Sequence, residues 1–214
     1  MKRRPLLAAA FLGLFPVAAR GAIIVGPIVN PANGHSYYVT SKATWTDAEA
    51  EAVSLGGHLV TVDNAAENTW LVNNVLVDFT PSGKPNLSKL PLWIGFHDPI
   101  PNDGTGAQHA ANFVWSSGAP NNFTDWGPAE PNNGGGQGQG EYYAAIGWLH
   151  SSPNFSFPAD IWNDTYLTGT PGPETTPVVP NQGLYYGIAE FVPEPGMIGL
   201  IAMGAAAGLG RKRK

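Results

Sequence analysis

Between Asn121 and Asp164 the chain carries, in order, Glu130-Pro131-Asn132, Glu141 and Trp162-Asn163-Asp164, and this ordered set restricts the possible folds more than any other feature. Its five polar side chains supply three carboxylates and two carboxamides. An oxygen-only set of this kind suits a hard divalent cation such as calcium, which takes about 6–8 oxygen ligands. Glycine, asparagine and proline crowd the same stretch, so any one of these residues taken alone fits an ordinary loop. It is their combination and order that point to an ion site.

The segment resembles the ligand-binding half of a C-type lectin-like domain of the Glu-Pro-Asn subclass. Two further stretches carry the same resemblance in the same order: Gly56-Gly57-His58-Leu59-Val60-Thr61-Val62 after the first helix, and the strand Leu92-Trp93-Ile94-Gly95-Phe96. The resemblance covers roughly Ser36 to Phe191. It implies an α+β fold, two helices flanking small antiparallel sheets with a long loop region, and calcium-dependent binding of mannose, glucose, N-acetylglucosamine or fucose. It also implies a role for each residue. Glu130, Asn132, Glu141, Asn163 and Asp164 hold the ion, and Glu130 with Asn132, then Glu141 with Asn163, each serve one hydroxyl of an equatorial vicinal diol. A carboxylate only accepts and a carboxamide nitrogen donates, so one of each satisfies a hydroxyl that also gives a lone pair to the cation. The Glu130–Pro131 bond is cis in such domains, an isomer that proline makes accessible. Two features depart from the usual pattern: a glycine-rich spacer, Gly134 to Gly140, before Glu141, and a long run, His150 to Asp160, before Asn163. Cysteine is absent, although the resemblance implies disulfides near the sheet ends, and Ala189 stands where many relatives have one.

Both ends read as targeting segments, giving three parts: residues 1–22, 23–192 and 193–214. Met1-Lys2-Arg3-Arg4 followed by the apolar run Leu6 to Ala19 has signal-peptide form, with cleavage expected between Ala19 and Ala22. At the other end Val192-Pro193-Glu194-Pro195, an apolar stretch from Gly196 to Gly210 and Arg211-Lys212-Arg213-Lys214 resemble the bacterial PEP-CTERM sorting signal. That resemblance implies export, transient inner-membrane association through the C-terminal segment, processing by an exosortase, and a final place at the cell surface or in extracellular matrix. The alternative is a permanent anchor, although the apolar stretch falls short of the ~20 residues a spanning helix needs. Between residues 23 and 192 only Lys42, Lys84 and Lys89 oppose 15 of the 16 acidic residues, the last being Glu194. A body so acidic excludes nucleic acid as a partner, because phosphate backbones need a basic patch.

Local signals place the scaffold. Ile23 to Val29 is a short apolar lead-in, Asn33-Gly34 signals a turn, and His35-Ser36-Tyr37-Tyr38-Val39 reads as a strand. Thr44 with Asp47 three residues on caps a helix whose buried face is Trp45, Ala48, Ala52 and Leu55, ended by Gly56-Gly57. Asn64 with Glu67 caps a second helix that buries Trp70, Leu71 and Val75. Asp78 to Pro91 is loop-like, Phe113-Val114-Trp115 is a strand, Trp126 anchors the long loop, and Tyr142 to Trp148 and Leu184 to Val192 are central strands.

Other function classes find less support. The histidines, His35, His58, His97, His109 and His150, are scattered without zinc-type spacing and are expected on the surface or in loops. Asp98 is either a second cation ligand or a solvated loop acid. Trp148, Phe155 and Phe157 either stack on a sugar face or fill the loop core. An enzymatic reading would pair Glu130 with Glu141 as a glycosidase couple, but a bound calcium would keep both ionised and occupy their lone pairs. A protein-binding adhesion role, with the loops as the contact surface, is the remaining alternative to sugar binding.

Overall fold

A computed structural model describes residues 22–77, 87, 90–100, 107–134, 140–147, 160–169 and 184–193. The leader, the sorting tail, most of the loop from Asp78 to Pro91, most of the glycine-rich spacer, and Trp148, His150, Phe155 and Phe157 lie outside the described residues.

The lead-in is a strand, β1 (Ile23–Val29), and β2 (Ser36–Thr40) follows the Asn33-Gly34 turn. Gly34 has φ 78°, the left-handed backbone that glycine adopts without penalty. Helix α1 (Trp45–Ser54) starts where the sequence places it: Thr44 Oγ1 accepts the Asp47 N–H at 3.1 Å and donates to the Asp47 carboxylate at 2.7 Å. Trp45, Ala48 and Ala52 are buried, but Leu55 is 40% exposed. The helix ends at Ser54, so Leu55 is a cap residue turned off the buried stripe just before Gly56 at φ 95°.

After β3 (His58–Leu59), Asn64 caps helix α2 (Ala65–Asn74) by accepting the Glu67 N–H at 3.0 Å. Glu67 reaches back to the Asp63 N–H at 2.9 Å and also accepts the Tyr37 hydroxyl at 2.5 Å, which joins α2 to β2. Leu71 and Val75 are buried as expected, whereas Trp70 is only partly buried, stacked 5.1 Å from Tyr37.

The remaining elements are β4 (Leu92–His97), a short helix α3 (Ala107–Asn112), β5 (Val114–Trp115), β6 (Tyr143–Ile146), β7 (Trp162–Thr165) and β8 (Tyr186–Phe191). Among the described residues the strand order is β1-β2-β8-β4-β6-β7, with β3 on β8 and β5 on β4. The pairs are antiparallel except β4 with β8, where Leu92 faces Tyr186 in parallel. A mixed sheet with helices fits the α+β class expected, with α3 and, among the described residues, one parallel strand pair added to the two helices and antiparallel sheets.

The core explains why β4 is apolar up to His97. Leu92, Trp93, Ile94 and Phe96 are all fully buried. The Trp93 indole donates to the Ala43 carbonyl at 3.0 Å and the Trp45 indole to the Ile94 carbonyl at 2.8 Å, so each large ring buries its N–H with a partner. On the side toward the long loop, Phe96, Phe113, Trp115, Trp126 and Trp162 pack with ring centroids 4.4–5.9 Å apart. Trp126 thus anchors the loop, and its backbone also bridges Trp162 in parallel.

Candidate metal and ligand site

Strand β7 and the loop beside it build the site. The Trp162 N–H donates to the Asp125 carbonyl and the Gly127 N–H to the Trp162 carbonyl, both at 2.8 Å, which lays residues 125–127 along β7. The Glu130 N–H then closes a turn onto the Gly127 carbonyl at 3.0 Å. The Glu130–Pro131 peptide is cis, and Ala129 and Asn133 have φ of 67° and 49°. Asparagine tolerates that left-handed backbone better than most residues.

Asp164, fully buried on β7, gathers the next residues. Its Oδ1 accepts the Asn132 N–H at 3.2 Å and its Oδ2 the Asn133 N–H at 2.7 Å. Asn133 Oδ1 in turn accepts the Glu141 N–H at 2.9 Å, which ties the far side of the glycine-rich spacer to the near side. Glu130, by a side-chain hydrogen bond, and Asn132, through its backbone, meet the Asp164 carboxylate, and Asn133 ties Glu141 to the same turn, whereas the Asn163 side chain contacts the Asp164 backbone instead. Asn163 differs from expectation in one respect: its amide nitrogen is hydrogen-bonded to the Asp164 backbone carbonyl, so the donor expected to serve a sugar hydroxyl is engaged within the protein.

The electrostatics are those of crowded acids. Burial first, then a hydrogen bond and repulsion from Asp164, push the Glu130 carboxyl up to about 8; burial and Asp164 push Glu141 up to about 7. Two buried oxygens in the cluster, Glu130 Oε2 and Asn132 Oδ1, have no hydrogen-bond partner. Orphaned buried acceptors are costly and uncommon. Oxygens lacking donors among mutually repelling carboxylates fit a hard cation, and the donor set contains no sulfur or imidazole that would favour a softer one. A Cβ at Gly134 would stand 2.2 Å from Asn132 Oδ1, so the first glycine of the spacer is what lets the chain pass that carboxamide.

Residues outside the expected set hold it in place. Asn68 of α2 is buried; it donates to the Asp125 carboxylate at 2.8 Å and the Asp160 carbonyl at 2.9 Å and accepts the Trp162 indole N–H at 3.0 Å. Of the histidines expected on the surface or in loops, His35 lies in the loop before β2 and the His58 side chain is 44% exposed, whereas His97 ends β4 and His109 stands on α3. His109 is fully buried between Asp98 and Asp164, and Asp98 is 4% exposed, neither a solvated acid nor set apart from the site. His58 pairs with Glu49 at 2.7 Å and His35 with Glu190 at 2.6 Å. His35, Glu190 and Glu67 also bring potential ligand atoms within 4.8 Å of one another, a grouping that zinc-type sequence spacing could not reveal because it joins a turn, α2 and β8. The signal for Asn133 was the turn-forming pair Asn132-Asn133; for His109 and Asn68 there was none, since their partners lie 55 and 94 residues away in sequence.

Comparison with known proteins follows this geometry. The family described as Lectin C-type domain matches residues 41–159, and that described as PEP-CTERM protein-sorting motif matches residues 191–214. The chain is 30% identical over 105 residues to the low affinity immunoglobulin epsilon Fc receptor of Mus musculus, a stretch that is 49% of this chain and 25% of the receptor. It is 28% identical over 97 residues to the type-2 ice-structuring protein of Hemitripterus americanus, covering 45% of this chain and 47% of that protein. The match thus spans a quarter of the first relative's length and under half of the second's. The cow C-type carbohydrate-recognition domain of CD23, solved in the presence of GlcNAc2Man3 oligosaccharide, superposes with TM-score 0.48 at 19% identity over 75% of this chain and 89% of that one. No described helix is long and apolar enough to cross a membrane.

Proposed function

Because the chain belongs to the C-type lectin domain family and ends in a PEP-CTERM sorting motif, we propose that it is an exported, non-catalytic protein that binds carbohydrate through one calcium ion. The observation that supports the reading is the contact of Glu130 and of the Asn132 and Asn133 N–H groups with buried Asp164, beside two buried acceptors that lack donors. Bound calcium would supply a Lewis-acidic point for two sugar hydroxyl oxygens. The chain's own residues do the rest. Glu130 and Glu141 accept one hydroxyl proton each, while Asn132 and Asn163 each donate to the second lone pair of the same hydroxyls. This pairing selects equatorial vicinal diols of the mannose, glucose, N-acetylglucosamine and fucose type. For Asn163 it requires the amide to leave the Asp164 carbonyl when ligand binds.

Residues 1–22 are read as the leader, 23–192 as the binding domain, and 193–214 as the sorting segment, which associates transiently with the inner membrane until an exosortase-type enzyme cuts it. The protein then sits at the cell surface or in extracellular polysaccharide. Turnover is not part of the reading, since Glu130 and Glu141 act as ligands and not as an acid and base.

The test is thermal unfolding with and without millimolar calcium, for wild type and Asn163→Ala, followed by retention on mannose and glucose resins with and without chelator. A ligand that binds only the folded state adds about 2.7 kcal/mol at a hundredfold excess over Kd. A rise in midpoint confined to wild type, with chelator-sensitive retention, supports the reading. Calcium without effect on wild type would sink it.

A further inference from the structure

Behind the site, Asp98, His109 and Asp164 form a line of three buried side chains from three elements: the end of β4, α3 and β7. The His109 ring is fully buried, with Nδ1 2.9 Å from Asp98 Oδ2 and Nε2 3.2 Å from Asp164 Oδ2. Asp98 is itself fixed: its Oδ1 accepts the Ile100 N–H at 2.7 Å, and its own N–H donates to the Tyr142 carbonyl at 2.8 Å. Each ring nitrogen faces a carboxylate oxygen, and a ring N–H on Nε2 donates to Asp164 Oδ2. The imidazole is therefore a rigid bar between a held carboxylate and the one at the centre of the site.

The two oxygens of Asp164 are not equivalent. Oδ2 takes two donors, from His109 and the Asn133 N–H, and its lone pairs are filled. Oδ1 takes the Asn132 N–H, and is the oxygen left for a cation once Glu130 gives up its hydrogen bond to Asp164. We propose that His109, backed by Asp98, is a positioning residue for the cation site: it fills Asp164 Oδ2, fixes the rotation of that carboxylate, and so presents Oδ1 as a single-point ligand. The inference rests on the calcium reading above. Residues that orient a metal ligand typically contribute about 10–100-fold in affinity.

The experiment is calorimetric titration of the full chain with calcium alone, well below the unfolding midpoints, for wild type, His109→Gln, Asp98→Asn and the double variant. His109→Gln is expected to weaken calcium tenfold or more and Asp98→Asn fivefold or more, with the double no weaker than His109→Gln alone, because the two act in series. A purely structural role would lower the ion-free midpoint and leave Kd where it was. Should His109→Gln not fold, Asp98→Asn decides. A loss under fivefold in a folded variant overturns the inference, as does tighter binding, the result expected if the ring did nothing but repel the ion. Wild type that binds no calcium overturns both this and the calcium reading; wild type that binds while the variants match it overturns this alone.

Discussion

The side-chain oxygen of Asn68 accepts the indole N–H of Trp162 at 3.0 Å, so helix α2 grips the residue that immediately precedes Asn163 and Asp164. The same carboxamide reaches Asp125, which begins the stretch laid along β7, and Asp160, which lies just before β7. One buried side chain on the scaffold thus sets the position of the ligand-bearing segments.

Replacing Asn68 by alanine leaves a buried indole N–H and two acceptors without that partner, at a cost of about 1–3 kcal/mol per unsatisfied group. The expected outcome is a lower unfolding midpoint together with weaker calcium binding. Calorimetry and a calcium titration on the same sample check both, and an unchanged calcium affinity would mean that the loop holds its place without α2.

Gly134→Ala is expected to separate the site from the scaffold. Its Cβ would fall 2.2 Å from Asn132 Oδ1, so the carboxamide must swing away. Calcium affinity should drop by roughly tenfold, the scale on which displaced metal-site groups act, while the midpoint of ion-free protein stays within a degree or so of wild type. Matched titration and melting curves distinguish this from general damage.

Gly95→Ala tests the opposite case. A Cβ there meets the Leu59 carbonyl at 2.5 Å and Ser116 Oγ at 2.8 Å, and the Gly95 N–H donates to the Val60 carbonyl at 2.9 Å, so backbone must move against backbone. Overpacking of this kind costs about 1–3 kcal/mol, a midpoint loss of roughly 2–10 °C for a domain of this size. Differential scanning calorimetry reads it directly.

The His35–Glu190 pair gives a pH dependence with a defined sign. The hydrogen bond to Glu190 raises the His35 pKa above 6.5, against the opposing effect of burial. A base whose folded pKa is raised contributes stability that is fully present below about 6.5 and disappears as pH rises through the folded value. The midpoint difference between wild type and His35→Gln should therefore be larger at acidic pH than above neutrality. Melting curves across that range check it, and a difference growing with pH would reverse the assignment.

Much of the scaffold could be read locally. Thr44 with Asp47 and Asn64 with Glu67 are capping signals three residues long, and both helices begin where those pairs place them. The candidate ligand residues stood out because their order is unusual, not because any one of them is. Helix α3 was not: Ala107-Gln108-His109-Ala110-Ala111-Asn112 is too short to show a repeating apolar face. The burial of His109 depends on two carboxylates brought from β4 and β7, and no window of sequence contains all three. Leu55 failed for a smaller reason, since a periodic stripe continues on paper for one residue after the helix has stopped.

The sheet's outer boundaries bear on pairing with other chains. At one boundary β1 shifts register twice against β2 and contains Pro27, which has no N–H to offer a neighbouring chain. At the other, residues 125–127 of the ligand loop occupy the free side of β7. Neither margin offers a clean template for strand addition. The stretch from Asp125 to Gly127 thus guards the β7 margin against strand addition.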